Sequence, residues 1–151
     1  MKDIKEIAKW FLSKESMSQK KLQKLCYYYI AWGYVFYNKA MAKNSDFYGF
    51  IQGPFSKVLQ NEYENYEWEE IDKIENLNIT FSKNENELLN FIWNSYGNLS
   101  DIELEILTSR ETPWVEARYG LDMFEPGNEL IDTNTMKAFY SKIYDRYTKR
   151  N

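Results

Sequence analysis

The sequence of 151 residues has no histidine and a single cysteine, Cys26. Without an imidazole there is no Ser-His-Asp triad, no Cys-His pair and no histidine base. One thiol forms no internal disulfide and cannot supply the thiolates of a structural zinc site. Cys26 lies between Leu25 and Tyr27, a setting for a small buried apolar residue rather than a nucleophile. The apolar stretches are broken by Lys, Gln or Gly short of the ~20 residues a membrane helix needs. Residues 1–6 lack the apolar run of a signal peptide. Three prolines and six glycines leave no Pro/Gly-rich linker, and neither a repeat nor a low-complexity tract divides the chain. The expectation is one soluble, cytoplasmic domain over residues 1–151 with no catalytic residue, no cofactor site and no metal.

Aromatic residues are abundant instead: 13 Tyr, nine Phe and five Trp. A domain of this size cannot bury them all, and exposed Tyr and Trp are favoured in protein interfaces. Charge is segregated. Residues 1–43 carry a net +6, residues 44–133 a net −14 and residues 134–151 a net +4. Either basic terminal helices dock on an acidic middle, or an acidic surface is offered to a basic partner. The overall −4 and a pI near 5.0 argue against direct nucleic-acid binding, which needs a continuous basic patch.

Hydrophobic spacing predicts a mainly α fold with at most a small two-stranded β element. Ile4, Ile7, Ala8 and Phe11 give an amphipathic first helix. Ser18 caps a second helix over 19–37, apolar on nearly every side and therefore central. Residues 46–52 alternate like a short strand, and Gly53-Pro54 is expected to end it and start a helix carrying Phe55, Val58, Leu59, Tyr63 and Tyr66. Residues 79–81 are expected to pair with that strand. Ser82 with Glu85, and Ser100 with Glu103, read as capping boxes of two further helices. Thr112-Pro113 opens a short helix that Gly120 closes. A last helix over 134–147 faces inward with Met136, Phe139 or Tyr140, Ile143 and Tyr147.

Catalytic readings are thin. Gly53-Pro54 lacks the Gly-rich loop and the Lys-Ser/Thr of a phosphate cradle. Glu103, Glu105 and Glu111 offer carboxylates for glycoside chemistry, but so does any acidic helix. The most unusual stretch is 62–70, with five Glu and three aromatics in nine residues and no positive charge. It reads either as a solvated helix end or as an acidic, aromatic contact surface. On the second reading Phe50, Gln52, Glu64, Glu67, Trp68 and Glu69 form a partner-binding face.

Three ordered blocks look familiar. Ser18-Gln19-Lys20-Lys21-Leu22-Gln23-Lys24-Leu25-Cys26-Tyr27-Tyr28, followed by Trp32, is the first. Phe47-Tyr48-Gly49-Phe50-Ile51-Gln52-Gly53-Pro54 is the second. The third runs from Tyr96-Gly97-Asn98-Leu99-Ser100 through Leu107-Thr108-Ser109-Arg110-Glu111-Thr112-Pro113-Trp114 to Arg118. In order and spacing they resemble the Panacea, or SocA-like antitoxin, domain over about residues 3–147. Gly49 departs from the family's Ala, Phe50 from its Trp, and Ser109 from its usual His, so no role of that imidazole carries over.

The resemblance implies a mostly helical antitoxin that neutralises a protein toxin by binding it, with no catalytic residue. A proteolytic adaptor, a phage-encoded inhibitor of a host defence protein and an uncharacterised carboxylate enzyme are the alternatives. The motif residues Leu22, Gln23, Leu25, Tyr28, Trp32, Gly53, Pro54, Glu111, Pro113, Trp114 and Arg118 are read as structural. Trp114 is taken as a large buried aromatic, and Glu111 with Arg118 as an ion pair bracketing the Pro113 helix.

Overall fold

The computed structural model describes residues 1–149; residues 150 and 151, part of the expected 1–151 span, lie outside the described residues. Helix α1 (Ile4–Leu12) begins at Asp3, whose carboxylate accepts from Lys5 N while Glu6 reaches back in a capping box. Helix α2 (Gln19–Tyr37) is capped by the Ser18 hydroxyl and ends on Asn38 in the left-handed conformation. Strands β1 (Tyr48–Phe50) and β2 (Gly53–Phe55) follow, then α3 (Lys57–Glu62) and a 3-10 turn at Glu64–Tyr66. The chain closes with α4 (Lys83–Tyr96), α5 (Asp101–Thr108), α6 (Thr112–Ala117) and α7 (Thr133–Lys149). The fold is mainly α with one two-stranded antiparallel sheet, as the hydrophobic spacing predicts.

Helix α2 is the axis. Every residue from Lys21 to Gly33 is buried, and α1, α4, α5, α7 and β2 pack around it. Such a helix must satisfy its polar tips inside the core. Tyr29 OH donates to Met41 O, Trp32 Nε1–H donates to Tyr96 OH at 2.9 Å, and Tyr28 stacks on Tyr96 with centroids 3.8 Å apart. Tyr28 OH and Tyr140 OH both donate to Glu111 Oε1, each at 2.8 Å, and Tyr27 OH shares a hydrogen bond with Tyr140 OH at 3.0 Å. One carboxylate oxygen thus joins α2, α7 and the start of α6.

The hairpin corrects two expectations. Gly53-Pro54 does not start a helix: it forms β2, which pairs with β1 in the register Tyr48 to Phe55, Gly49 to Pro54 and Phe50 to Gly53. Gly53 has φ +111°, a conformation open to glycine, and the pairing of Gly53-Pro54 with β1 keeps the proline in extended backbone. The helix waits for Ser56, whose side chain caps Leu59 N. Residues 79–81 form no strand. The far side of β1 is instead flanked by 129–131, where Gly49 N–H donates to Glu129 O and Ile131 N–H to Phe47 O. Alternate residues of an antiparallel pair turn their N–H groups away from the partner strand, and Gly49 N–H, directed away from β2, is taken by Glu129 O. In α7, Met136 and Tyr140 are buried and Phe139 and Ile143 half-buried, but Tyr147 is exposed, one turn beyond the body that α7 covers.

The Glu111 carboxyl is pushed up from an ordinary 4.5 to about 7, chiefly by burial and against the two tyrosine hydrogen bonds. A raised acid favours folding while it is protonated. Its contribution is therefore whole below about 4.5 and is lost as pH climbs through about 7. Urea denaturation at pH 4.5, 6 and 8 is expected to show wild type losing stability relative to Glu111→Gln across that interval, by on the order of 1–3 kcal/mol.

Gly127 is buried against the hairpin. A Cβ there would overlap Gly49 O and sit 2.6 Å from Arg118 Nη1. Gly127→Ala is expected to destabilise by ~1–3 kcal/mol, the cost of overpacking a tight contact, as read from its urea midpoint.

Candidate partner-binding site

An open cleft of about 1190 Å³ lies among the start of α2, the hairpin turn, α3 and the segment 64–70, with Lys5 of α1 and Asp101 of α5 at its border. Its floor is the first turns of α2, with Gln19, Lys20, Gln23 and Lys24. Gln23 fixes one wall: its Nε2 donates to Ser56 O at 2.9 Å and its Oε1 accepts from Ser56 N at 2.6 Å. That two-way amide pairing clamps the β2–α3 junction to α2, which is why a glutamine sits inside an otherwise apolar helix turn. Gln19 Nε2 donates to Tyr63 O and holds the end of α3 in the same way. The rim is the segment 64–70, which bears Glu64, Glu67, Trp68 and Glu69.

Of the six residues expected to form a contact face, Gln52, Glu64, Glu67, Trp68 and Glu69 line this one cleft. Trp68 is 93% exposed, an unusual state for an indole. Phe50 does not line it. Its ring is half-buried and stacks on Phe55 at 4.3 Å, and it is Phe55 that borders the cleft.

The motif residues occupy three places. Leu22, Leu25, Tyr28 and Trp32 are core. Gly53 and Pro54 are buried in β2, with Gly53 against the Lys24 side chain. Glu111, Pro113, Trp114 and Arg118 belong to α6, but Glu111 and Arg118 make no ion pair among the described residues. Helix α6 is only six residues long, and its two ends face different parts of the molecule. Glu111 turns into the core beneath Tyr28 and Tyr140. The buried Arg118 guanidinium donates to three backbone carbonyls, Gly49 O at 2.9 Å, Asp122 O at 3.0 Å and Glu125 O at 2.6 Å. It staples the hairpin to the loop after α6. That loop exposes Tyr119, Met123 and Phe124, which no periodicity singles out.

Sequence reasoning also passed over Lys24. Its side chain is buried, and desolvation lowers its ammonium from 10.5 to about 7, against the opposing pull of Glu105. A signal for this was present. A lysine on a helix apolar all round has no solvated face to reach.

The carboxylates weighed for glycoside chemistry are engaged separately. Glu103 closes a capping box, Glu105 pairs with Lys20 at 2.6 Å, and Glu111 is in the core. Ser109, in the place of the family's usual histidine, donates to Ile106 O at the end of α5. Among the described residues no group of Cys, Asp and Glu is arranged to hold a metal ion, and no helix is long and apolar enough to cross a membrane.

The model of the family described as "Antitoxin SocA-like, Panacea domain" matches residues 22–115, from the start of the α2 core to α6. The chain belongs to this antitoxin-like family. Neither a curated protein nor a solved structure matches it.

Trp114 is half-buried rather than enclosed: its Nε1–H donates to Phe50 O at 2.8 Å and Arg118 lies over its ring at 5.2 Å. The 3–5 kcal/mol scale for truncating a fully buried aromatic therefore overstates its share. Trp114→Phe, which keeps a ring and loses the donor, is expected to cost ~1 kcal/mol of stability in urea.

Proposed function

We propose that the chain is a non-enzymatic, cytoplasmic antitoxin, one domain over residues 1–151, that neutralises a protein toxin by direct binding through the cleft between α2 and segment 64–70. The observation that carries this reading is the pairing of a fully presented indole, Trp68, with a rim of Glu64, Glu67 and Glu69 in a member of an antitoxin-like family. An aromatic anchor supplies affinity by desolvation, whereas a ring of carboxylates raises the encounter rate with a cationic partner. Gln52 offers a neutral hydrogen-bonding group at the mouth. Phe50 acts from behind, by holding Phe55 against the cleft.

The partner on this reading is a toxin with a basic surface, as one that works on nucleic acid or nucleotides would have. Antitoxin action needs no catalytic group, in keeping with a chain that has no histidine. Growth rescue tests it directly: the chain is co-expressed with small toxin frames that flank its gene, and the purified pair is then studied by surface plasmon resonance. Replacing Glu64, Glu67 and Glu69 together by Gln is expected to slow association about tenfold at low salt and flatten its salt dependence. Trp68→Ala is expected to speed dissociation instead. Unchanged association in the triple variant would return these carboxylates to an inert solvated rim.

A further inference from the structure

Three lysines stand within five residues at the start of α2, and two have carboxylates. Lys20 Nζ lies 2.6 Å from Glu105, and Lys21 Nζ lies 2.7 Å from Glu15 and donates to Gly97 O at 2.8 Å. Lys24 is the most buried of the three at 3% exposure, yet its Nζ has neither an ion-pair nor a hydrogen-bond partner among the described residues. The side chain lines the cleft. Gly53 packs closely against it, since a Cβ there would come within 2.9 Å of Lys24 Cε and 3.4 Å of Nζ. Glu105 and Asp101 act on this ammonium only from beyond ion-pair distance, and a mostly buried charge without a direct partner is costly to keep. The same helix turn gives its other two lysines direct carboxylates and leaves the third open to the cleft.

We propose that Lys24 receives one Asp or Glu side chain of the bound partner, carried on an otherwise basic segment, which enters past Gln52 and pairs with the ammonium at the floor of the cleft. This rests on the cleft's being the partner-binding face. The surroundings select the occupant. Glu62, Glu64, Glu67, Glu69 and Glu70 line the same cleft and would repel a polyanion such as nucleic acid. A single carboxylate flanked by Lys or Arg meets both charges, with the flanks on the glutamate rim and the acid on Lys24. Such an arrangement also discriminates, since a wholly basic segment would leave Lys24 unmatched and a wholly acidic one would be refused at the rim.

Burial holds Lys24 at about 7, and an incoming carboxylate favours its charged form, so binding draws a proton onto it. Glu105 and Asp101 of α5 and Lys20 of α2 face Lys24, while Lys5 of α1 and Lys57 of α3 border the cleft. Their contribution is common to wild type and a Lys24→Met variant, so the pH dependence of interest is the difference between the two.

Two capped peptides serve as probes, acetyl-Lys-Lys-Asp-Lys-Lys-amide and its Asn counterpart, titrated by calorimetry. Wild type is expected to bind the Asp peptide about tenfold more tightly than the Asn peptide, the scale of one charge-assisted hydrogen bond. That preference should narrow from pH 6.5 to pH 9 and vanish in Lys24→Met, a variant that removes a buried ammonium and keeps the stem. Carbon-13 NMR of labelled lysine in wild type gives a reading that needs no variant. The Lys24 titration midpoint should rise with the Asp peptide and stay put with the Asn peptide. Equal binding of the two peptides, or a preference that survives in Lys24→Met, overturns the proposal. So does inorganic phosphate displacing the Asp peptide better than acetate does at equal ionic strength. The two readings fail separately. A toxin still neutralised by Lys24→Met but not by the rim triple variant removes the carboxylate anchor alone. A Lys24-dependent peptide preference in a chain that rescues no toxin removes the antitoxin reading alone.

Discussion

The structure depends on a carboxylate placed where water is absent. Glu111 Oε1 takes the hydroxyls of Tyr28 and Tyr140, and so ties the central helix to the last helix at the residue that begins α6. Each of these groups alone would be costly to bury, and together they satisfy one another. The position of α6 follows from that knot. From α6, Trp114 and Arg118 reach the backbone oxygens of Phe50 and Gly49 and set the hairpin. The hairpin turn delivers Gln52 and Gly53 to the cleft. A core hydrogen bond thus bears on a surface feature by way of α6 and the hairpin.

Helix α2 plays two parts along its length. Its second half is a rod of aromatic and aliphatic contacts, with Tyr27, Tyr28, Tyr29 and Trp32 enclosed on all sides. Its first half carries Lys20, Lys21, Gln23 and Lys24, whose polar ends each go to a different neighbour or to the cleft. Gln23 and Lys24 are adjacent and do opposite things. The amide closes a wall by pairing fully with Ser56, and the ammonium leaves the floor open.

What the sequence made legible was what is encoded locally. The bounds 19–37 of α2 and the two capping boxes at Ser82 and Ser100 depend on residues within one or two turns, and all are found as read. The hairpin was misread because Gly53-Pro54 has two local meanings, and only pairing with β1 and the cap at Ser56 selects the strand. Ser56 was visible, three residues before an amide it caps, and outranked by the habit of placing proline at a helix start. The supposed Glu111–Arg118 pair failed for a related reason. Seven residues mean two helical turns only if the helix spans both, and α6 does not. Five of six residues named for a contact face line one cleft, since 64–70 is a continuous segment and Gln52 lies at a turn facing it. Phe50 falls outside the lining because Phe55, stacked on it from β2, takes the bordering position, a pairing that alternation along β1 alone does not show.

Among the described residues, no fully buried side-chain nitrogen or oxygen lacks a hydrogen-bond partner. Thr108, Ser56, Gln23 and Arg118 are all buried polar residues with their bonds made. The fold is therefore exacting about polar groups, and of the three lysines in the first turns of α2 it is Lys24, at the cleft, that makes no direct ion pair among the described residues. Loose packing would scatter unmatched groups through the molecule. Here Lys24 meets the cleft beside a glycine whose missing Cβ lets the hairpin pack closely on the lysine stem. Elsewhere the knot at Glu111 and the staple at Arg118 fix α6 and the hairpin, so that the wall of the cleft is formed by the fold itself and any ligand proposed for it would meet a preformed site.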